Sequence, residues 1–476
     1  MLHVAGVLVG SRPWRKRGRL PLPKFLISLG FPMFRVKSLF RFCWRNSVVK
    51  FVLLTSLSCL LVFGVGSAYG TDKDPVVTLE NQWAGQYGDY FGQAVAFQDL
   101  DSQGIAQDLL RLDAETSSHT AVLWLVPAPQ QLTLVLITPG EPPTVVNLSQ
   151  APRSKVLKVV DEFNRALSDP SLMSTNPEAY LPAAQQLYQW LIAPIELQLG
   201  ARNIDTLMTC LGGGLRSLPL AALHDGQRFL IEKYNLARIP AYNLVELDGE
   251  GLTEISVLAM GASEFTDQPS LPGVPIELDA ITPTLWSGKA FLNDGFTVDN
   301  FLEERAQASH SIVHLATHAE FLPGKPSQSY IQFGDRKVTL AEIDELNWQE
   351  PPVDLLVLSA CQTALGDLEA EMGFAGLTLK SGVKSAIASL WQISDVGTMA
   401  LMSEFYQKLK VAPNKALALR EAQISMLGNQ LIVEGDELRT GRGAVPLPDS
   451  VANDMTQYDL SHPFYWASFS LIGSPW

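Results

Sequence analysis

The chain has 476 residues, more than the ~250–300 over which one hydrophobic core keeps growing, so more than one lobe is expected. Apolar residues make up 47%, as in a globular protein, and the formal net charge is −14. That charge is split: residues 1–50 hold eleven Lys/Arg and no Asp or Glu, leaving 24 basic against 49 acidic residues for the rest. So acidic a body excludes nucleic acid as the main partner.

The basic stretch, residues 1–46, reads as a disordered leader. It runs into an uncharged segment, Phe51–Gly70, within the span 47–70. Its most apolar part, Phe51–Gly66, falls between a signal-peptide core of ~7–15 residues and a spanning helix of ~20. Signal peptide and membrane anchor both stay open. Ala68-Tyr69-Gly70 offers a small-x-small cleavage site, and Met33 offers a second start. The positive flank puts residues 1–50 on the cytoplasmic side and the acidic body outside, with the membrane as a partner through this segment. Cys59 lacks the surroundings of a lipidation site.

Residues 71–98 are polar and Gly-rich and read as linker. Ala106–Glu115 has helical apolar spacing. Ala121–Val126 and Leu132–Ile137 flank Pro127-Ala128-Pro129 and predict a hairpin. Val156–Leu167 and Tyr180–Leu199 repeat with a helical period, while Ile204–Cys210 and Ile255–Gly261 read as buried strands. Beyond Trp286, helices are expected at Thr297–Ala308, Gly373–Ser381, Thr398–Lys408 and Asn414–Leu427. Strands are expected at Lys384–Leu390 and Phe464–Ile472. Strands alternating with helices specify an α/β sheet. No tandem 34-residue repeat is present.

Two stretches carry chemistry. In Asp354–Thr363 (DLLVLSACQT), Leu355–Leu358 is a short apolar run that reads as a buried parallel strand, with Cys361 just past its end. In Ser311–Ala319 (SIVHLATHA), His318 follows a similar run. Ligand and catalytic groups gather at the carboxyl ends of such strands. The two ends are about forty positions apart, room for one right-handed crossover. If the strands are neighbours, Cys361 and His318 face one cleft, the minimal pair for thiolate catalysis.

HLATHAEF (His314–Phe321), LSACQT (Leu358–Thr363), SLWQISD (Ser389–Asp395) and HPFYWASFSLIG (His462–Gly473) resemble the CHAT domain, as does LRSLPLAALHDGQRFLIEKY (Leu215–Tyr234). The resemblance covers roughly residues 99–476. It implies a caspase-like α/β three-layer sandwich with a mostly parallel central sheet, related to caspases and separases among cysteine peptidases. It further implies an N-terminal pseudo-lobe over 99–285 and a catalytic lobe over 286–476. CHAT domains often follow arrays of helical repeats; here the apolar N-terminal segment stands in their place.

On this reading Cys361 is the nucleophile, its thiol pKa lowered by the imidazole and the following helix. His318 is the general base and acid. The family places the oxyanion donors on the backbone N–H of the Cys and of the residue after the His, here Cys361 and Ala319, where many relatives have Gly. Asp395 ends a segment resembling the one in separase whose Asp faces the basic side chain before the cut. It also fits a helix cap. Glu320 is a weaker alternative at the cleft. His310, His314 and His318 share H-x3-H-x3-H spacing, which on a helix would put three imidazoles on one face as for zinc, but Ile312–Leu315 reads as strand and no acidic ligand falls in register, so no metal or organic cofactor is expected and His314 reads as a core histidine. Cys210 reads as a packed thiol. His224 reads as a turn residue, and His462 as part of the loop before the last strand.

The implied function is a cysteine endopeptidase cutting a protein substrate after a basic residue. Two alternatives remain: a catalytically silent, membrane-tethered interaction module, and a general cysteine amidase or transferase.

Overall fold

Leu355, Leu356, Val357 and Leu358 are all fully buried, as four consecutive apolar residues in a central strand must be. They open strand β11 (Leu355–Thr363) in a computed structural model that describes residues 74–476 except 96, 250, 253–254, 435–436, 441–442 and 448–458. The leader and the apolar segment Phe51–Gly70 lie outside the described residues. Among those described, no helix is long and apolar enough to cross a membrane. The described residues belong to one compact unit, Val65–Trp476.

A 13-stranded sheet runs through that unit. Its first half holds β1 (Thr120–Pro127), β2 (Leu132–Ile137), β3 (Thr144–Leu148), β4 (Thr206–Leu211) and β5 (Asn235–Ile239). Next in the chain come β6 (Ser256–Gly261), β7 (Ser287–Leu292), β8 (Ile312–Phe321), β9 (Tyr330–Gln332) and β10 (Lys337–Thr339). After β11 follow β12 (Ser385–Ser389), a separate small sheet of β13 (Ile432–Glu434), β14 (Glu437–Thr440) and β15 (Gly443–Pro446), and finally β16 (Phe469–Gly473). The main path is β10-β9-β8-β11-β12-β16-β5-β4-β1-β2-β3, with β6 pairing β7 and β8. The pairs β1–β4, β4–β5, β6–β8, β8–β11 and β11–β12 are parallel. The hairpin β1–β2 is antiparallel, as the Pro-Ala-Pro turn predicts. The sheet runs unbroken through position 285: β6, before it, pairs with β8, after it.

Helices surround this sheet. Helix α1 (Pro75–Phe91) occupies the stretch read as linker, and corrects that reading. Its buried stripe is Val76, Glu80, Trp83 and Tyr87, so a carboxylate interrupts the apolar pattern that would have announced a helix. Glu80 accepts from Trp124 Nε1 at 2.7 Å and from the amides of Tyr242 (3.1 Å) and Asn243 (2.8 Å). Burial pushes its carboxyl pKa up, and the three donors offset part of that cost. Asp74 caps α1 through Val76 N and also accepts from Ser102 N and Oγ, tying α1 to α2 (Ser102–Thr116).

Helices α3 (Arg153–Ser168) and α4 (Leu181–Leu191) follow; the helix expected over Tyr180–Leu199 breaks at a 3-10 turn around Pro194. Then come α5 (Val274–Ile281), α6 (Val298–Gln307) and α7 (Leu368–Ala375). Helices α8 (Asp395–Leu409) and α9 (Lys415–Leu427) come next. α5, α8 and α9 pack in sequence, with α5 on β6 and β8 and α8 on β11, while α7 packs on β8, β11 and α1. Gly261 allows α5 this close: a Cβ there would lie 2.5 Å from Ala316 O and 2.8 Å from Val274 Cγ1. The last strand is shorter than Phe464–Ile472. Pro463 at a helix start, capped by His462 Nδ1 accepting Phe464 N at 3.1 Å, makes Pro463–Trp466 helical instead.

Candidate functional site

β6, β8, β11 and β12 run parallel and point their carboxyl ends to one edge. β8 and β11 are direct neighbours, in register from Leu355↔Ile312 to Leu358↔Leu315. The register then shifts, with β8 advancing three residues for two on β11, and resumes at Ala360↔His318 and Cys361↔Ala319. The crossover thus brings together the two stretches singled out from sequence. One expectation needs correction. His318 and Cys361 lie within the strands, not past their ends, since β8 continues to Phe321 and β11 to Thr363. The physical reason is extra pairing: β9 adds Ala319↔Ile331 and Glu320↔Tyr330 on the other side of β8. The next helix, α7, begins only at Leu368 and is capped by Asp367.

His318 is held from the loop after β6. Its Nε2 lies 2.8 Å from the carbonyl of Pro269. A carbonyl can only accept, so Nε2 carries the proton and Nδ1 keeps the lone pair a base needs. The Phe265 ring meets the imidazole edge-on at 4.7 Å between centroids. His318 as a whole is 7% exposed.

The same loop holds Asp395, the first residue of α8. Gly273 N donates to Asp395 Oδ2 at 3.0 Å. Capping itself falls to Ser394, which accepts from Gly397 N at 3.3 Å, so Asp395 is left for the pocket beside it. Burial pushes the Asp395 pKa up; the Gly273 amide opposes this, Glu277 adds to it and His318 lowers it again. Asp395 therefore lies within electrostatic reach of both His318 and Glu277. The pocket is a narrow cavity of about 10 Å³ with apolar walls from Leu271, Val274 and Ile393. Its polar groups include Glu277, Ser359 and Asp395.

Other candidates are occupied elsewhere. Glu320 Oε1 accepts from Tyr330 O–H at 2.7 Å. His314 is fully buried, with Nδ1 3.2 Å from the Tyr406 hydroxyl and Nε2 3.0 Å from Glu277 Oε1. His310 contacts Ser256 Oγ and Glu304. Among the described residues no group of three or more His, Cys, Asp or Glu stands close enough to hold a metal ion. Cys210 is buried, and burial pushes its thiol pKa well up, as suits a packed thiol. His224 occupies the turn expected, its Nδ1 accepting from Gly226 N.

Sequence reasoning missed Phe265, Pro269, Gly273, Glu277 and Ser359. The signal available was Leu271–Pro275 (LPGVP), a Pro/Gly turn entering a helix directly after a buried strand.

A parallel α/β sheet with His and Cys on adjoining strands and an acidic pocket alongside defines the class. The CHAT domain model matches residues 181–474, more than half of the chain. The chain belongs to the CHAT domain family. No curated protein matches it in sequence. Among solved structures, a chain of the Saccharomyces cerevisiae separase–securin complex is similar at 11% identity and TM-score 0.46. That match covers 78% of this chain and 31% of the other, so the chain spans about a third of that neighbour. A chain of the complex of Porphyromonas gingivalis RgpB pro- and mature domains is similar at 12% identity and TM-score 0.35, covering 68% and 77%.

Proposed function

We propose that this chain is a cysteine endopeptidase that cuts a protein substrate after a basic residue, with Cys361 as nucleophile and His318 as general base and acid. The observation that carries the reading is the Pro269–His318 hydrogen bond beside the register partners Cys361 and Ala319. It fixes the tautomer that leaves Nδ1 ready to take a thiol proton. The thiolate attacks the scissile carbonyl, a C–S bond forms, and the oxyanion collapses as His318 protonates the leaving amine. Water, deprotonated by His318, then cleaves the acyl-thioester and frees the thiol. The family assigns the oxyanion to the amides of Cys361 and Ala319. Their pairing supports a shared position for one oxygen, and Ala319's further pairing with Ile331 has to be released for it. Asp395 in its half-buried pocket supports selection of a cation.

The N-terminal segment Phe51–Gly70 would place this body on the extracytoplasmic side of a membrane, as anchor or export signal. The chemistry is tested with an arginine-ended acyloxymethyl ketone on the reduced protein from Thr71 onward. Mass mapping is expected to find the adduct on Cys361, and an uncharged analogue to label far more slowly. An unlabelled Cys361 under these conditions favours the silent module over the peptidase.

A further inference from the structure

The carbonyl that fixes the His318 tautomer sits on a loop with few bonds of its own. Between β6 and α5 the chain closes on itself, with Leu271 N donating to Ser263 O at 2.9 Å. Inside that closure Glu264, Thr266, Asp267, Pro269 and Ser270 are exposed. Among the described residues, 264–270 make no further backbone–backbone hydrogen bond. A loop so placed opens easily unless side chains hold it. Two hydrogen-bonding side chains do so among the described residues. One is His318 itself, through Pro269 O at 2.8 Å. The other is Gln268, next to Pro269 in the chain. Its Nε2 donates to the Tyr330 hydroxyl at 3.1 Å and lies 3.5 Å from Glu320 Oε1.

A carbonyl can orient an imidazole only if something besides that imidazole holds the carbonyl. Tyr330 is the fixed point. It is the cross-strand partner of Glu320 on β8, so their side chains share a face, and Glu320 lies two residues beyond His318 on that same face. Tyr330 O–H donates to Glu320 Oε1 at 2.7 Å, which leaves the hydroxyl oxygen to accept from Gln268. Burial pushes the Tyr330 pKa up, and the Glu320 hydrogen bond and charge push it the same way, so the phenol keeps the proton it donates. Lys337 Nζ, from β10, stands 3.6 Å over the Tyr330 ring and steadies it from the other side. We infer that Gln268 and Tyr330 are positioning residues, which anchor the Pro269 carbonyl to the sheet and through it hold His318 in the orientation that proton transfer needs. This rests on the reading of His318 as general base and acid.

The test compares the whole chain as wild type, Gln268→Met, Tyr330→Phe, His318→Ala and the Gln268→Met/His318→Ala double variant on one arginine peptide. Gln268→Met keeps the length of the side chain but cannot donate. It is expected to lower kcat about 10- to 100-fold, the range for a misplaced catalytic group, with KM within about twofold. Tyr330→Phe, which keeps the ring under Lys337 and loses one neutral acceptor, is expected to lower kcat about three- to tenfold. In the His318→Ala background Gln268→Met is expected to cost less than about twofold, because a residue that acts through the imidazole then has nothing to position. A merely structural role would give losses that multiply. Nitrogen-15 NMR of the histidine rings reads the same orientation without substrate: His318 is expected as the Nε2–H tautomer in wild type and as a mixture in both single variants. Thermal melting checks that each variant folds. Wild-type kcat in folded Gln268→Met and Tyr330→Phe overturns the inference, as does an unchanged His318 tautomer, or a Gln268→Met loss of full size in the His318→Ala background. A wild type that cuts no faster than His318→Ala removes the general-base reading itself, and the inference with it.

Discussion

The His318→Ala variant is expected to hydrolyse peptides about 10²- to 10⁴-fold more slowly than wild type, the range for loss of a positioned general acid–base. The loss falls on kcat, because the imidazole acts on the thiol and the leaving amine and not on the basic side chain in its pocket. Stability is expected to change little in comparison. The side chain gives up one hydrogen bond, to Pro269 O, and one aromatic contact, to Phe265. Steady-state kinetics beside a melting curve separates the two effects. A variant that keeps wild-type kcat would show that another group moves the proton.

Asp395→Asn is expected to lower kcat/KM for arginine peptides by about 10²- to 10³-fold, as when one partner of a desolvated charge pair is removed. Labelling of Cys361 by a small neutral thiol reagent is expected to keep its wild-type rate, since the carboxylate serves the pocket and not the thiol. The sign of the pH effect follows from burial. Burial holds the Asp395 carboxyl above the usual carboxylate range in the empty pocket, so the anion that binds a cation forms only above that raised pKa. Inhibition by a simple arginine amide, which asks nothing of the thiol, is therefore expected to weaken as pH falls, starting above the ordinary Asp range near ~4. The pH dependence disappears in Asp395→Asn. An arginine amide that binds both proteins alike at all pH values would take the specificity role from this residue.

Much of the site was legible because its signals are local. The apolar run before Ser359 announces a buried strand, and a second such run before His318 announces its neighbour. The strand boundaries were not legible. Whether β8 stops at Ala316 or continues to Phe321 depends on β9, a three-residue strand with little pattern of its own. The pocket was hidden for a different reason. Glu277 and Asp395 are far apart in sequence, and only the packing of α5 onto β6 and β8, permitted by Gly261, brings the first beside the second. Glu80 shows the limit of periodicity. A carboxylate in a buried stripe reads as solvent-exposed until its three donors, all at Trp124 or beyond, are known. The place of β16 between β12 and β5 is set by pairing with strands far earlier in the chain, which no local pattern encodes.

The measurement that bears most directly on the central claim uses the protein from Thr71 onward, wild type beside Cys361→Ala. Each is incubated under reducing conditions with an unbiased peptide library, and the new termini are read by mass spectrometry. The account predicts cuts after a basic residue, and none from the Cys361→Ala protein. Cuts that persist in that variant, or cuts with no basic residue before them, would contradict it.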